Sequence, residues 1–379
     1  MYLAIREMRF AKVRYSLIAA IMLLVAFLVL FVSGLAKGLA YDNAASIQNR
    51  QATHFIMEKD SNARFTRSLV GEQVSERAST IVGEENVQPL GVKMTTVTAE
   101  GTAAKLDVTV LAVRPEGWLM PAVTEGAVID SQSEGQAIVD DKLKDSGVGL
   151  GTVIVDQASG LKWEVAGFVS DESFSHSPAV FISGRDWQQL QASAAVRPGG
   201  VEEAEAGSNS TNYNAIAVKG DTDQARQLAA ALPDAEVVTK TAAVSAIPGY
   251  KEEQGSLLMM IVFLFVISAV VLMVFFYVIT IQKSSQLGIL KAIGTRTVYL
   301  AKSVTLQVLF LSAGSLMISV LLVQAVEALL PSGMPFRLPA STLALTCGSF
   351  IVMSLIGSLL SVWKVIRVDP LDAIGRSAL

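Results

Sequence analysis

A single cysteine, two histidines and only 17% charged residues limit what this chain of 379 residues can do. One cysteine, Cys347, cannot form an intrachain disulfide, so any folded part depends on an ordinary packed core. His176, in "DESFSHSPAV", has no second histidine or cysteine at ligand spacing, and a structural metal site is not expected. No segment fits GxxxxGK[ST]. The nearest, "GVGLGTVIVD", lacks the lysine that would reach a phosphate, so the chain is not expected to hydrolyse ATP by itself. Asp140 and Asp141 are adjacent and point to opposite faces of a strand, and no strained nucleophile motif is present. Catalysis and nucleic-acid binding are therefore not expected.

What the chain has in quantity is apolar length, with 51% hydrophobic residues. Four uncharged runs stand out: 22 residues between Arg14 and Lys37, 29 between Glu253 and Lys283, 24 between Lys302 and Glu327, and 26 between Arg337 and Lys364. Each is long enough for a hydrocarbon core that needs roughly 20 helical residues. Lys and Arg flank the spans unevenly. Arg6, Arg9, Lys12 and Arg14 precede the first, Lys283, Lys291, Arg296 and Lys302 lie between the second and third, and Lys364, Arg367 and Arg376 follow the fourth. Positive segments stay cytoplasmic, which predicts both termini inside. The first run exceeds the 7–15 apolar residues of a signal peptide, and Gly34 and Gly38 give it a small-residue face, so it reads as a retained anchor and a face for dimer packing. Glu327, at the outer end of the third run, reads as structural.

The expected fold class is an α-helical membrane protein with four transmembrane helices and an α/β domain inserted outside the membrane between the first two. Expected boundaries are a cytoplasmic segment 1–14, a first span with the start of a stalk at 15–40, the outer domain with stalks at 41–254, and a second span at 255–282. A cytoplasmic helix at 283–302, a span at 303–329, an outer loop at 330–340, a span at 341–363 and a cytoplasmic tail at 364–379 follow. From Asp42 to Gln254 the chain has 30 acidic and 17 basic residues, whereas the rest has 4 and 13, so the near-neutral total hides two oppositely charged compartments. Strand-like runs "THFIM", "LDVTVLAV", "QAIVD", "GTVIVD", "WEVAGFV" and "PAVFIS" alternate with turn residues, and "DTDQARQLAAAL" has helical spacing behind an Asp cap. "SAAVRPGGVEEAEAGSNSTN" has loop composition. "KGLAYDNAASIQNRQ" and "TKTAAVSAIPGYKEEQGS" read as helical stalks, the second kinked or started at Pro248.

Between the second and third spans stands "QLGILKAIGTR". Leu287, Ile289, Leu290, Ile293 and Val298 recur at helical spacing, Lys291 and Arg296 point elsewhere, and Gly288 and Gly294 allow close approach or a helix end. An amphipathic helix here could rest on lipid or dock a partner.

The stretch from Gln286 to Gly294 closely resembles the E-x-G-x-L-K-A-[IL]-G segment of the FtsX-like, macrolide-exporter-type permeases of ABC transporters, with Gln286 where that family has Glu. "VDPLDAIG" resembles the family's terminal P-x-x-A-[LI] element through Pro370, Ala373 and Ile374, and the order of spans and outer domain matches along the whole chain. The N-terminal "MYLAIREMRFAKVRYSLI" and "FVSGLAKGLAYDNAASIQ" are most similar to permeases of haem-regulated efflux systems and DevC-type exporters. The resemblance implies a homodimer in the bacterial cell membrane, driven by two copies of a separate ATPase that binds the ATP. It also implies a coupling helix made by Gln286, Leu287, Gly288, Leu290, Lys291, Ala292, Ile293 and Gly294, with Leu287, Leu290 and Ile293 as the knob. No intrinsic cofactor is implied, and haem is a possible cargo. Residues that could touch iron near the outer span ends are Tyr41, His54, Met57, Tyr250, Glu252, Met259 and Met260, of which Tyr41, Tyr250, Met259 and Met260 are the substrate candidates. Export of haem or of another lipid, peptide or drug is one reading. Transmission of motion to an outer partner such as a cell-wall hydrolase is the other.

Overall fold

The computed structural model describes residues 12–101, 104–195, 211–331 and 333–366. They fall into two compact units, Leu39–Gln254 and the segments on either side of it. The chain reaches the first unit along helix α1 (Lys12–Asp42), followed by a single helical turn at Ala45–Gln48. Strand β1 (His54–Glu58), helix α2 (Glu72–Val82) and the long strand β2 (Val87–Ala99) come next. Strands β3 (Lys105–Ala112), β4 (Gln136–Asp140), β5 (Val153–Asp156), β6 (Lys162–Val169) and β7 (Ser177–Ile182) lead to helix α3 (Gly184–Ala195). The unit closes with β8 (Ala215–Val218), α4 (Thr222–Ala231) and β9 (Ala235–Thr239). Of the loop-like stretch from Ser193 to Asn212, all but its ends lies outside the described residues.

Two β–α–β segments, β1–α2–β2 and β8–α4–β9, interleave as an antiparallel sheet in the order β9–β1–β8–β2, the ferredoxin-like arrangement. Alternation along β1 decides its two faces. Ile56 joins Ile216 and Val218 beneath Ala78, Val82 and Leu228 of the two helices, while Phe55 and Met57 face the other way. Asp221 caps α4 in a capping box with Gln224, as the Asp at the head of that sequence run requires.

The chain between β2 and β8 forms a second sheet that closes on itself. β2 pairs β3, β3 pairs β7, β7 pairs β4, β4 pairs β6, β6 pairs β5, and β5 returns to β2 through Val97↔Asp156 and Ala99↔Ile154. Alternate residues of all six strands fill one interior, including Val97, Val110, Val139, Ile154, Trp163 and Val180. Their sequence neighbours Leu111, Ile138 and Phe181 point out of the ring and share a core with Phe55, Phe65 and Phe174.

Thr239 caps a short helix at Lys240–Ser245, and Pro248 and Gly249 (φ +81°) make the turn before α5 (Tyr250–Gln282). The helix thus starts two residues after Pro248 rather than bending there. After α5 come α6 (Ser284–Ala292), α7 (Thr297–Glu327) and α8 (Ala340–Ile366). Helices α1, α5, α7 and α8 are each long and apolar enough to cross a membrane.

Helix α1 is fastened to α7 within the chain. Tyr15 Oη donates to Gln307 Oε1 at 2.8 Å, Ser315 Oγ to Ala19 O at 3.1 Å and Ser319 Oγ to Leu23 O at 2.9 Å. These partners advance together along both helices, which therefore run parallel. Tyr15, Ile18, Met22, Ala26 and Leu30 make the buried stripe of α1, against Leu272 and Phe276 of α5 and Val308, Leu316 and Val323 of α7. Gly34 and Gly38 continue that stripe, and in place of an open face their missing side chains leave room for another part of the same chain. A Cβ on Gly34 would lie 2.4 Å from the Phe336 ring, one on Gly38 would lie 2.2 Å from Pro335 O, and Arg337 N–H donates to Gly34 O at 3.1 Å. The small-residue face is filled by the chain's own loop between α7 and α8.

Candidate functional site

Helix α6, which carries the segment from Gln286, follows α5 after a single residue, Lys283. This lysine is buried, and its ammonium group donates to Tyr15 Oη and, at 3.2 Å, to Gln307 Oε1. The start of α6 is thereby pinned to α1 and α7 at one polar node. Its other end is set by Gly294. At φ +95° this glycine adopts the left-handed conformation that ends many helices, with Gly294 N–H donating to Lys291 O and Thr295 N–H to Leu290 O, both at 3.1 Å.

Between these ends the helix sorts its residues by face. Gln286, Ile289, Ala292 and Ile293 are exposed, with Ile289 at 42% and Ile293 at 77%. Gly288 is buried, Lys291 is half-buried, and Leu290 packs on the buried Leu300 of α7. The side chain of Leu287, like residues Pro370, Ala373 and Ile374, lies outside the described residues. The outward apolar pair is therefore Ile289 and Ile293, and Leu290 serves the inner side of the corner. Of the expected knob of Leu287, Leu290 and Ile293, Ile293 therefore faces outward and Leu290 inward, because periodicity groups residues by face without saying which face is covered.

The substrate candidates divide into two kinds. Met259 and Met260 are open on α5, 59% and 45% exposed, beside the exposed Val262, Phe263, Val266 and Ile267. The tyrosines are engaged instead. Tyr41 Oη donates to Asn49 Oδ1 at 2.6 Å, and Tyr250 Oη accepts from Gln48 Nε2 at 3.4 Å. The Tyr41 bond stays within the first stalk, whereas the Tyr250 bond joins the second stalk to the helical turn that follows α1. His54 is half-buried beside Thr53, and Met57 is fully buried in the outward core. Among the described residues no group of three or more His, Cys, Asp and Glu could hold a metal ion.

Around the stalks lies a polar network that sequence reasoning missed. Arg50 is buried, pairs with Glu172, and donates to Leu119 O at 2.7 Å and Ser46 O at 3.1 Å. Lys240, on the second stalk, donates to Arg50 O at 2.7 Å. Burial lowers the Arg50 pKa and pushes Glu172 up to about 7, and the nearby guanidinium only partly offsets this. Asp140 accepts from Glu172 N–H at 2.6 Å and from Lys142 N–H at 3.1 Å, yet burial still lifts it to about 6. Next to this group, Ser175 and His176 form the tip of a hairpin between Ser173–Phe174 and β7. Both have positive φ, +52° and +64°, as a tight primed turn requires. No local pattern announces the network, whose members come together from five separate parts of the chain, around residues 46–50, 119, 140–142, 172–176 and 240.

The family model described as FtsX-like permease C-terminal matches residues 258–370, which takes in α5 from Leu258 onward together with α6, α7 and α8. Proteins of Staphylococcus haemolyticus and Staphylococcus epidermidis that carry the name hemin transport system permease protein HrtB are each 30% identical over 375 residues, 99% of either chain. The chain belongs to the FtsX-like permeases of ABC transporters. The extracellular domain of the noncanonic ABC-type transporter YknZ from Gram-positive bacteria matches half of this chain and 98% of its own, with a TM-score of 0.34 and 15% identity. As a member of this family the permease is a membrane protein, and the family implies an ATPase partner.

Proposed function

We propose that the permease works as a homodimer with two copies of a separate ATPase, in a bacterial cell membrane with both termini in the cytoplasm, and exports haem. The observation that carries this reading is full-length similarity, 99% of both chains, to two proteins named for hemin transport. The flanking lysines and arginines support the orientation. The open apolar face of α5 supports a second copy lying against it, with Met259 and Met260 offering thioethers to a flat, iron-bearing cargo. On the cytoplasmic side Ile289 and Ile293 fill a groove on the ATPase. The Lys283, Tyr15 and Gln307 node then delivers a push on α6 to three spans at once.

Hemin titration of the purified permease tests the cargo. A Soret shift at micromolar hemin that weakens in Met259→Leu with Met260→Leu, and changes less in Tyr41→Phe or Tyr250→Phe, is the expected outcome. Absence of any shift, with ATPase activity of the complex responding instead to a lipid, a peptide or an outer protein partner, would assign the permease to broader export or to transmission of motion.

A further inference from the structure

His176 sits between the two stalks with a carboxylate at each ring nitrogen. Nδ1 lies 3.1 Å from Asp42 Oδ2, at the end of α1, and Nε2 lies 3.0 Å from Glu253 Oε2, in the first turn of α5. A neutral imidazole carries one N–H and one lone pair, and can donate to only one of them. Donating to both requires the imidazolium form. Asn43 makes the alternative state specific: its Nδ2 is 2.7 Å from Glu253 Oε2 and 3.2 Å from His176 Nε2. With the ring protonated, Nε2–H and Asn43 both donate to Glu253. Once Nε2 loses its proton, its lone pair faces the carboxylate, and Asn43 can turn its N–H to the ring instead. Glu253 then keeps little, because Glu253 Oε1 is buried without a hydrogen-bond partner among the described residues, as is Asn43 Oδ1.

We propose that His176 is a proton-operated clasp between the helix that leaves the first span and the helix that leads into the second, closed in the imidazolium form and released when Nε2 is deprotonated. The groups around the ring come from several elements. Asp42 comes from α1, and Lys142, in the turn after β4, pairs with that same Asp42. Ser173 donates to Asp42 Oδ1 at 2.8 Å, Glu253 comes from α5, and Glu172 on the hairpin's own strand is turned to Arg50 and Asn49. The hairpin tip is also held by its backbone, Ser175 N–H donating to Asn43 O at 2.7 Å. Histidine is the side chain whose charge ordinarily changes between pH 5 and 8, so the input is proton concentration on the side of the inserted unit. The output is whether the two stalks are tied. This inference rests on the proposed export reading, since it regulates the stalks that flank the outer entrance, but its readout involves neither haem nor ATP.

Hydrogen exchange of the full-length permease in lipid nanodiscs at pH 6 and pH 8, corrected for the intrinsic rate, is the test. Expected is at least a tenfold faster corrected exchange at pH 8 for the Ser175 amide and for peptides covering Tyr250–Gln254. His176→Gln does not titrate, and its two N–H groups share one nitrogen instead of standing at opposite ends of a ring, so it should lose that difference and exchange quickly at both values. Glu253→Gln leaves the hairpin sequence intact and should reduce the difference at least threefold. Equal wild-type exchange at the two pH values, or a full wild-type difference retained in His176→Gln and Glu253→Gln, would overturn the clasp. Either result would leave the hemin titration unaffected, so failure of the clasp and failure of the export reading are separable.

Discussion

Arg50 and Glu172 hold opposite charges in a place that penalises both, and the penalty sets the direction of a pH response. A carboxyl whose folded-state pKa lies above its unfolded value binds its proton more tightly when folded. Glu172 moves from 4.5 to about 7 and Asp140 from 3.8 to about 6. The stability each contributes is therefore complete at low pH and is lost as pH rises through those windows. The thermal midpoint of the inserted unit, read in the purified permease, should fall between pH 5 and pH 8 by the equivalent of on the order of 1–3 kcal/mol. Glu172→Gln should flatten most of that slope. A midpoint that rises over the same range would show that the Arg50 pairing outweighs burial. None of this was readable beforehand. His176 lies 134 residues from Asp42 and 77 from Glu253, and Arg50 lies 122 from Glu172.

Elements were more legible than partners. The strand-like runs at β1 and β3 to β7 all occur as strands, because each carries apolar alternation between clear turns. Strand β2 escaped because Pro89 and Gly91 interrupt its pattern. Gly91 is there for packing, since a Cβ would lie 2.6 Å from the Trp187 indole. For α6 the sequence shows an amphipathic helix with a glycine end, but its orientation becomes visible only through Leu300. The functional consequence is specific. Ile293→Asp should abolish retention of the ATPase on purification while insertion and stability stay normal, since an unpaired charge in an apolar groove costs several kcal/mol, roughly 3–5. Leu290→Asp should lower the permease's own stability as well, because it places a carboxylate against Leu300. Co-purification of Ile293→Asp at wild-type stoichiometry would remove the outward pair from the coupling role.

At the scale of the whole molecule, the proposed homodimer requires one span to meet a second copy. Helix α1 is occupied: its hydroxyl-bearing neighbours on α7 and its glycines are satisfied inside the protomer. Helix α5 is the least covered of the four, with Val266, Ile267, Val270 and Val274 all exposed. Single cysteines at Val266 and Val270, in a Cys347→Ser background, should crosslink two protomers in the membrane. Cysteines on the α1 stripe at Gly34 or Gly38 should not. Efficient crosslinking from α1 alone would overturn this assignment.

Strand β2 belongs to both halves of the inserted unit, pairing β8 at one end and closing the six-strand ring with β5 at the other. Its 13 residues span roughly 40 Å as one continuous beam. The two halves of the unit are thus joined by one uninterrupted strand with no loop between them. A tilt of about 5° at the β8 end would carry the far end through roughly 3–4 Å, a lever arm that turns a small rotation into a displacement the size of an atom.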